Sequence, residues 1–489
     1  VGQRYLGVPN EDALAGAFKA LGLTKQAGYY QFDLDRLLYL VGAASDAIMT
    51  ARVLPRVRAA AYARLSTGHP FTEHGVSGTE AWELVDKIQA FNRVMLRRAC
   101  RGLRVDFEFL ESYEERTAER LRTAADTLAD AKVKPGHAGD LIAFLEREAA
   151  LPEDYPRTAK TKRPSTTATH LETLTHPIAQ VYVEHKQISK IKDDYLAKVK
   201  DQSGDDDRIY PALNVLAAVT GRASMSGTPL HQFPADARGI VIADEGDPFT
   251  SLDWAQIEPV VITNVAAGRG SLEDLAVIEA FEAGADFYAP IMAQAGISRP
   301  HAKVVLLAQL YGEGIRKLAA DLGVSEERAE ELRDSLLASM PGVAAMVRGK
   351  SACVLPGQRE GLLRSIARDY GLVFSLAGRI MPVPMGKGWV DEETGEVGPP
   401  SRMVHKGVNY FVQGSAFDVL MEAVLAGDKA GLGDSLHLTM HDELVVSTEA
   451  AVEWERLMQT PPDRLCQLAK RTPVLRTDRH DLGNRWAKV

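Results

Sequence analysis

Twelve residues near the end of the chain, from Leu436 to Ser447, place apolar arms on either side of His441-Asp442-Glu443. That pattern specifies a β-hairpin with a polar tip. A second strand signal lies far upstream in Phe249-Thr-Ser-Leu-Asp-Trp254, preceded by a shorter one in Ile240-Val-Ile-Ala-Asp244, with the turn-forming Glu245-Gly-Asp-Pro between them. Much of what surrounds these strands reads as helix. From Ala81 to about Ala131, Ala90, Phe91, Val94, Met95 and Cys100 recur mostly at spacings of three and four, with a break at Gly102. Residues 271–350 are helical again, notably from Ser298, an N-cap with Pro300 in the first turn behind it. No internal repeat is found.

Composition narrows the class. With 45% hydrophobic and 25% charged residues, the chain has the make-up of a folded globular protein, not of a disordered, collagen-like or coiled-coil one. The longest apolar runs, such as Val304 to Ala308, fall far short of the roughly 20 residues a membrane span needs, so no membrane association is expected. No secretory signal is read at the start, and a cytoplasmic protein of a bacterium or an infected host cell is expected. Cys100, Cys353 and Cys466 are too widely spaced for a disulfide framework or a CxxC metal site, which fits a reducing compartment. The net charge of −9 disfavours a wholly basic binder, but contact with nucleic acid depends on where the positive charge lies.

Local chemistry is therefore the better guide. Asp253 ends one predicted strand, Glu258 comes shortly after it, and Asp442 sits at the hairpin tip. Brought together, Asp253 and Asp442 could hold a pair of hard divalent ions of the kind that stabilise attacking and leaving oxygens in phosphoryl transfer. Taken singly, each also fits a turn or cap residue. On the helix from Ser298, Arg299, Lys303, Leu307 and Tyr311 are spaced by four and share one face, so two cations lie near its N-terminal end, where a polyphosphate would be favoured. A solvated face with a buried Tyr fits as well. Between Arg157 and Lys200 there are nine Lys or Arg against four Asp or Glu, and the tract from Arg157 to Thr167 reads as an exposed loop open to phosphate contact or simply to solvent. Asp33 and Asp35 read as a capping arrangement.

The order of these parts resembles the family A (DNA polymerase I-like) DNA polymerases over roughly residues 85 to 489. Asp253-Trp-Ala-Gln256-Ile-Glu258 looks like the family's first palm motif, Arg299-x-x-x-Lys303-x-x-x-Leu307-x-x-x-Tyr311-Gly312 like its fingers helix, and His441-Asp442-Glu443 like its second palm motif. Thr220-Gly-Arg222-Ala-Ser224 with Gln232, and Asn409-Tyr-Phe-Val-Gln413-Gly-Ser415, resemble two further family segments. The implied fold is α+β, a right hand with an antiparallel palm sheet, helical fingers and a helical thumb. Its expected divisions are palm at 81–115, 206–258 and 431–489, thumb at 116–205 and fingers at 259–430.

By the same resemblance the chain would be a template-directed DNA polymerase, taking primer-template DNA and dNTPs and acting as a monomer. Asp253 and Asp442 would bind two Mg²⁺ ions, with Mn²⁺ able to substitute, and Glu443 would support them from beside the site. Arg299 and Lys303 would clamp the incoming triphosphate, with Lys303 suited to protonate the leaving pyrophosphate because a guanidinium does not readily give up a proton. Glu258, bonded to Tyr311, would be the steric gate against a ribose 2′-hydroxyl. Gln256 and Tyr288 would complete the nucleotide site. Arg222, Gln232, Asn409, Gln413 and His441 would read the primer end from the minor groove, whose acceptors are nearly the same for every base pair. Lys162, Arg163, Ser165 and Thr166 would touch duplex phosphates.

Departures from the family pattern are specific. Leu307 stands where an aromatic residue is usual, which implies altered handling of dideoxynucleotides. Tyr288 stands in place of a phosphate-binding His, and Pro259-Val260 in place of the usual Leu-Arg. Such features are more like phage-encoded members than bacterial repair enzymes. Residues 1–80 are expected to be structural, too short for a complete 3′-5′ exonuclease domain. Gly42-Ala-Ala-Ser-Asp46 faintly resembles the last motif of such a domain. A single-subunit RNA polymerase shares much of the framework, but Glu258 and Glu443 resemble the DNA-synthesising branch. A non-catalytic DNA clamp would have no need of Asp253, Asp442 and Lys303 together. Nothing in the sequence points to a processivity factor.

Overall fold

Helix α1 (Gly78–Arg101) ends at the break expected at Gly102, and the break holds a short strand, β1 (Leu103–Val105), which the helical spacing did not show. Asp106 then starts helix α2 (Phe107–Asp130) as a true N-cap, its carboxylate accepting the Phe109 N–H at 2.9 Å. Three residues between two strong helical stretches are too few to register as strand by periodicity. The computed structural model describes residues 13–23, 37–66, 78–153, 155–158, 161–348, 361–388 and 398–487.

The chain divides into two compact units, Val1–Asp86 and Lys87–Val489. The first contains helices Ala13–Ala20 and Leu37–Ser66, with Asp46 exposed on the second. Asp33, Asp35 and Cys353 lie outside the described residues.

In the second unit, α2 packs along helix α3 (Pro177–Lys190), which runs on through a π-helical turn, Ile191–Leu196. Leu128, Leu141, Leu145, Leu171 and Tyr182 form a core of their own in this part of the chain. Ile240-Val-Ile-Ala-Asp is mostly not strand. Residues up to Ile240 close a 3₁₀ turn, and only Val241–Ile242 pair, antiparallel to β1. Next come strand β2 (Phe249–Trp254), helix α4 (Ile257–Gly268), a succession of helices including α5 (Arg299–Tyr311), and the long helix α6 (His405–Lys429). The chain closes with β3 (Leu436–Met440), β4 (Glu443–Ser447) and β5 (Thr477–Gly483). The expected divisions at 115/116 and 258/259 fall inside α2 and α4.

The central sheet has the order β5-β2-β4-β3, all antiparallel. Strands β2, β3 and β4, drawn from residues nearly two hundred apart, are too apolar to stand alone, with Leu252, Leu444 and Val446 fully buried, whereas the edge strand β5 is polar and mostly exposed. Phe249, Leu438, Met440 and Val445 join Leu110, Ile209, Leu230 and Ile240 in one core, each buried side chain contributing about 1.5–3 kcal/mol. The sheet is thereby fixed from behind, and its β2 and β4 ends become a rigid platform.

Candidate active site

The register of the sheet decides where the carboxylates meet. Glu443 is paired with Asp253 across β4 and β2, and Asp478 of β5 is paired with Asp253 on its other side. The hairpin turn is His441-Asp442, with His441 in the left-handed region at φ 54°, and the Trp254 N–H donates to the Asp442 carbonyl at 3.2 Å. Asp253 and Asp442 therefore stand at the same end of the same two strands. Burial pushes the Asp442 carboxyl above its ordinary value, while a backbone N–H and the Arg222 and His441 side chains work against that shift. Glu443 is buried, and its carboxylate accepts the Ser251 hydroxyl, two residues back along β2. Asp478, which sequence reasoning missed, is exposed. Only strand pairing puts it in this row, so no local motif could have marked it.

Gln256 is left-handed at φ 52°, turning the chain from β2 into α4 so that Glu258 enters the first turn of α4. Glu258 is buried, and both its oxygens are taken. Oε2 accepts the Tyr311 hydroxyl at 2.6 Å, and Oε1 accepts the Arg222 guanidinium. Burial, and then the Glu258 charge, push the Tyr311 phenol well up, so it stays a hydroxyl donor. Glu258, Tyr311 and Arg222, drawn from three separate segments, thus meet as one cluster.

On α5, Arg299, Lys303 and Tyr311 are exposed and Leu307 is half-buried, while Ala302, Val305, Leu306 and Leu310 are buried. The shared face read from the spacing is the solvent face. Ser298 takes the N-cap position, but its hydroxyl makes no capping bond. Arg299 pairs with Asp286 at 2.5 Å and lies over the Tyr288 ring, 5.2 Å from its centroid. Tyr288 is 1% exposed, and burial pushes its phenol up to about 12. In this structure it supports Arg299 from below.

Asn409 and Gln413 lie one turn apart on α6, both half-buried. The glycine after Gln413 has a packing reason: a β-carbon at Gly414 would lie 2.7 Å from the Met381 sulfur. Gln232, exposed in a 3₁₀ turn, accepts the Tyr195 hydroxyl at 3.3 Å. Beside it His231, which no sequence motif marks, donates Nε2–H to the Thr439 carbonyl at 3.0 Å, its ring 5.2 Å from that of His441. Burial lowers both imidazoles, keeping them neutral near neutral pH. Arg222, His231, His441, Thr439 and Phe417 line a cavity of about 20 Å³, room for one water.

Arg157 and Pro164 bridge, and the Thr158 N–H donates to the Arg163 carbonyl at 2.8 Å, bringing the two described ends of the basic tract side by side. Lys162, Arg163 and Thr166 are exposed on it, whereas Ser165 is buried, its carbonyl accepting the Tyr155 hydroxyl at 2.9 Å.

Among the described residues no group of three or more His, Cys, Asp or Glu side chains is disposed to hold a metal ion by itself. Asp253 and Asp442 still fit Mg²⁺, which keeps several waters and is commonly bound by one or two carboxylates plus substrate phosphates. A cation there would also relieve the cost of burying the charge on Asp442.

The solved structure of the POL domain of Pol1 from M. smegmatis, in complex with DNA primer-template and dNTP, resembles this chain with a TM-score of 0.63 and 23% identity, covering 81% of this chain and 70% of that one. The likeness gives the fold: a right-hand polymerase with antiparallel palm sheet, helical fingers and helical thumb. The DNA polymerase of Mycobacterium phage L5 is 26% identical over 88% of this chain and 64% of its own length. The thermostable DNA polymerase I of Thermus filiformis is 28% identical over 75% of this chain and 44% of its own. The chain thus spans between about two fifths and two thirds of the length of these curated relatives. The model of DNA polymerase family A matches residues 107–487, which takes in both strand pairs, α5 and α6, and the chain belongs to that family.

Proposed function

We propose that this chain is a template-directed DNA polymerase, adding deoxynucleotides to a primer 3′-hydroxyl with release of pyrophosphate. The observation that carries the reading is the β2–β4 register, which sets Asp253 and Asp442 at one sheet end. Family membership implies dependence on a divalent metal ion in general. Asp253 and Asp442 would hold two Mg²⁺ ions, which when bound acidify the primer hydroxyl and neutralise charge on the triphosphate.

The chain's own groups do the rest. Arg299 and Lys303 receive the phosphates, and Arg299 leaves Asp286 to do so. Lys303 holds a proton for the departing pyrophosphate. Glu258 and Tyr311 close the space a ribose 2′-hydroxyl would need. Leu307 and Gln256 complete the nucleotide site, with Tyr288 beneath Arg299. Arg222, Gln232, Asn409, Gln413 and His441 face the minor groove of the primer end. Lys162, Arg163 and Thr166 contact duplex phosphates, an interaction independent of sequence and sensitive to salt. Ser165 serves them by fixing the loop.

In this reading, residues 81–115, 206–258 and 431–489 are palm, 116–205 thumb and 259–430 fingers, and the enzyme works as a cytoplasmic monomer in DNA replication. The test is extension of a labelled primer-template with Mg²⁺ and either dNTPs or NTPs. Extension with dNTPs alone supports the reading. Extension with NTPs equally well would move the chain to RNA synthesis, and DNA binding without extension would make it a clamp.

A further inference from the structure

Arg379 and Asp418 form a deeply buried ion pair, 7% and 1% exposed, with Nη2 and Oδ1 3.3 Å apart. Such a pair adds little net stability over an apolar one of the same size, because two charges must leave water. What it can supply is fixed geometry, and its surroundings say which.

Asp418 lies on α6, the helix that carries Asn409 and Gln413. Its Oδ2 accepts the Ala377 N–H at 2.8 Å, and the Ser415 hydroxyl, also on α6, accepts the Leu376 N–H at 2.9 Å. The turn between strands Leu372–Phe374 and Ile380–Pro382 is thereby bonded to α6. From that turn the Arg379 guanidinium reaches Gly221, where a β-carbon would lie 2.6 Å from Nε and 2.7 Å from Cζ. Gly221 is at φ 83° and immediately precedes Arg222. Arg379 also lies over Phe417, 5.3 Å from its centroid, and Phe417 shares the small cavity with Arg222 and His441.

We propose that Arg379 and Asp418 are positioning residues that hold Arg222 at a set distance from Asn409 and Gln413, so that the two segments gauge the primer-terminal base pair together. The proposal rests on the placement of those residues at the minor groove under the proposed function. A correct pair presents its acceptors to both segments at once. A mispair shifts them, and a fixed spacing turns that shift into lost bonds. With the spacing loosened, correct termini lose their advantage while mispaired ones have little to lose.

The test is single-nucleotide addition to matched and mismatched primer termini by wild type, Arg379→Lys, Asp418→Asn and Gly221→Ala, with thermal melts in parallel. In each variant kcat/KM on the matched terminus should fall about tenfold, about 1.4 kcal/mol, and the mismatched value should change little, shrinking discrimination by the same factor. A merely structural role lowers both values together by reducing the folded fraction. A matched-to-mismatched ratio that stays at the wild-type value would therefore overturn the proposal. Should either buried-pair variant fail to fold, the double variant Arg379→Gln with Asp418→Asn decides by the same ratio, since it leaves no charge unpaired. If wild type itself extends no primer, the polymerase reading falls and takes this proposal with it.

Discussion

Asp253 and Asp442 stand on a four-stranded ladder, whereas Arg299, Lys303 and Tyr311 stand on the solvent face of a single helix, and the two settings hold their charges differently. On the sheet, register fixes the carboxylates: moving either means breaking strand pairing backed by Phe249, Leu438 and Val445. On α5 the cations are exposed on long side chains, and Arg299 is held by an exchangeable pair with Asp286 and by its contact with the Tyr288 ring. A reaction centre tolerates little misplacement, while a nucleotide-capturing surface must let its ligand in and out. Rigidity serves the first and reach the second.

The largest effect should come from the rigid side. Asp442→Asn is expected to lower the maximal rate of nucleotide addition by about 10³ or more, as loss of metal-borne charge stabilisation would. Its stability should move the other way. A carboxyl raised by burial binds more protons folded than unfolded, so the stability tied to it is fully present at low pH and declines as pH rises through the window up to its folded value. Removing that charge should raise the melting temperature of the metal-free protein at neutral pH, and a lower melting temperature would mean that Asp442 is there for structure.

On the helix, Lys303→Met should cost about 10² in kcat and also weaken nucleotide capture, read by steady-state kinetics. A change in capture with kcat untouched would remove the proton-donor role. Glu258→Ala, which frees Tyr311 and Arg222 together, should reduce discrimination against ribonucleotides by about 10², measured as the ratio of kcat/KM values. Restoring an aromatic ring with Leu307→Phe is the gentlest change. It should favour dideoxynucleotide incorporation by no more than about tenfold, in line with one added ring contact, and no change would place Leu307 away from the sugar.

Legibility in the sequence divides along a similar line. The strand from Phe249, the 436–447 hairpin and the α5 face were legible because each is a local pattern that carries its own charged residues, Asp253, Asp442 with Glu443, and Arg299 with Lys303. The strand Leu103–Val105 and the 3₁₀ turn before Val241 were not, since both owe their form to pairing with partners far along the chain. In the site, Glu258 and Tyr311 were expected together. The tie from Arg222 to Glu258 was not, nor were Ser251 under Glu443, His231 beside His441 or Arg379 behind Gly221. Each joins segments that carry no mark of the other. The burial of Ser165 and Tyr288 likewise reflects neighbours that spacing does not reveal.

The most direct test of the contrast between sheet and helix is single-turnover incorporation of one correct dNTP, across nucleotide and Mg²⁺ concentrations, by wild type, Asp442→Asn and Lys303→Met. Asp442→Asn should lose maximal rate with nearly unchanged nucleotide affinity, whereas Lys303→Met should lose both. An Asp442→Asn enzyme that keeps its rate at saturating nucleotide would contradict the assignment of the sheet end as the reaction centre.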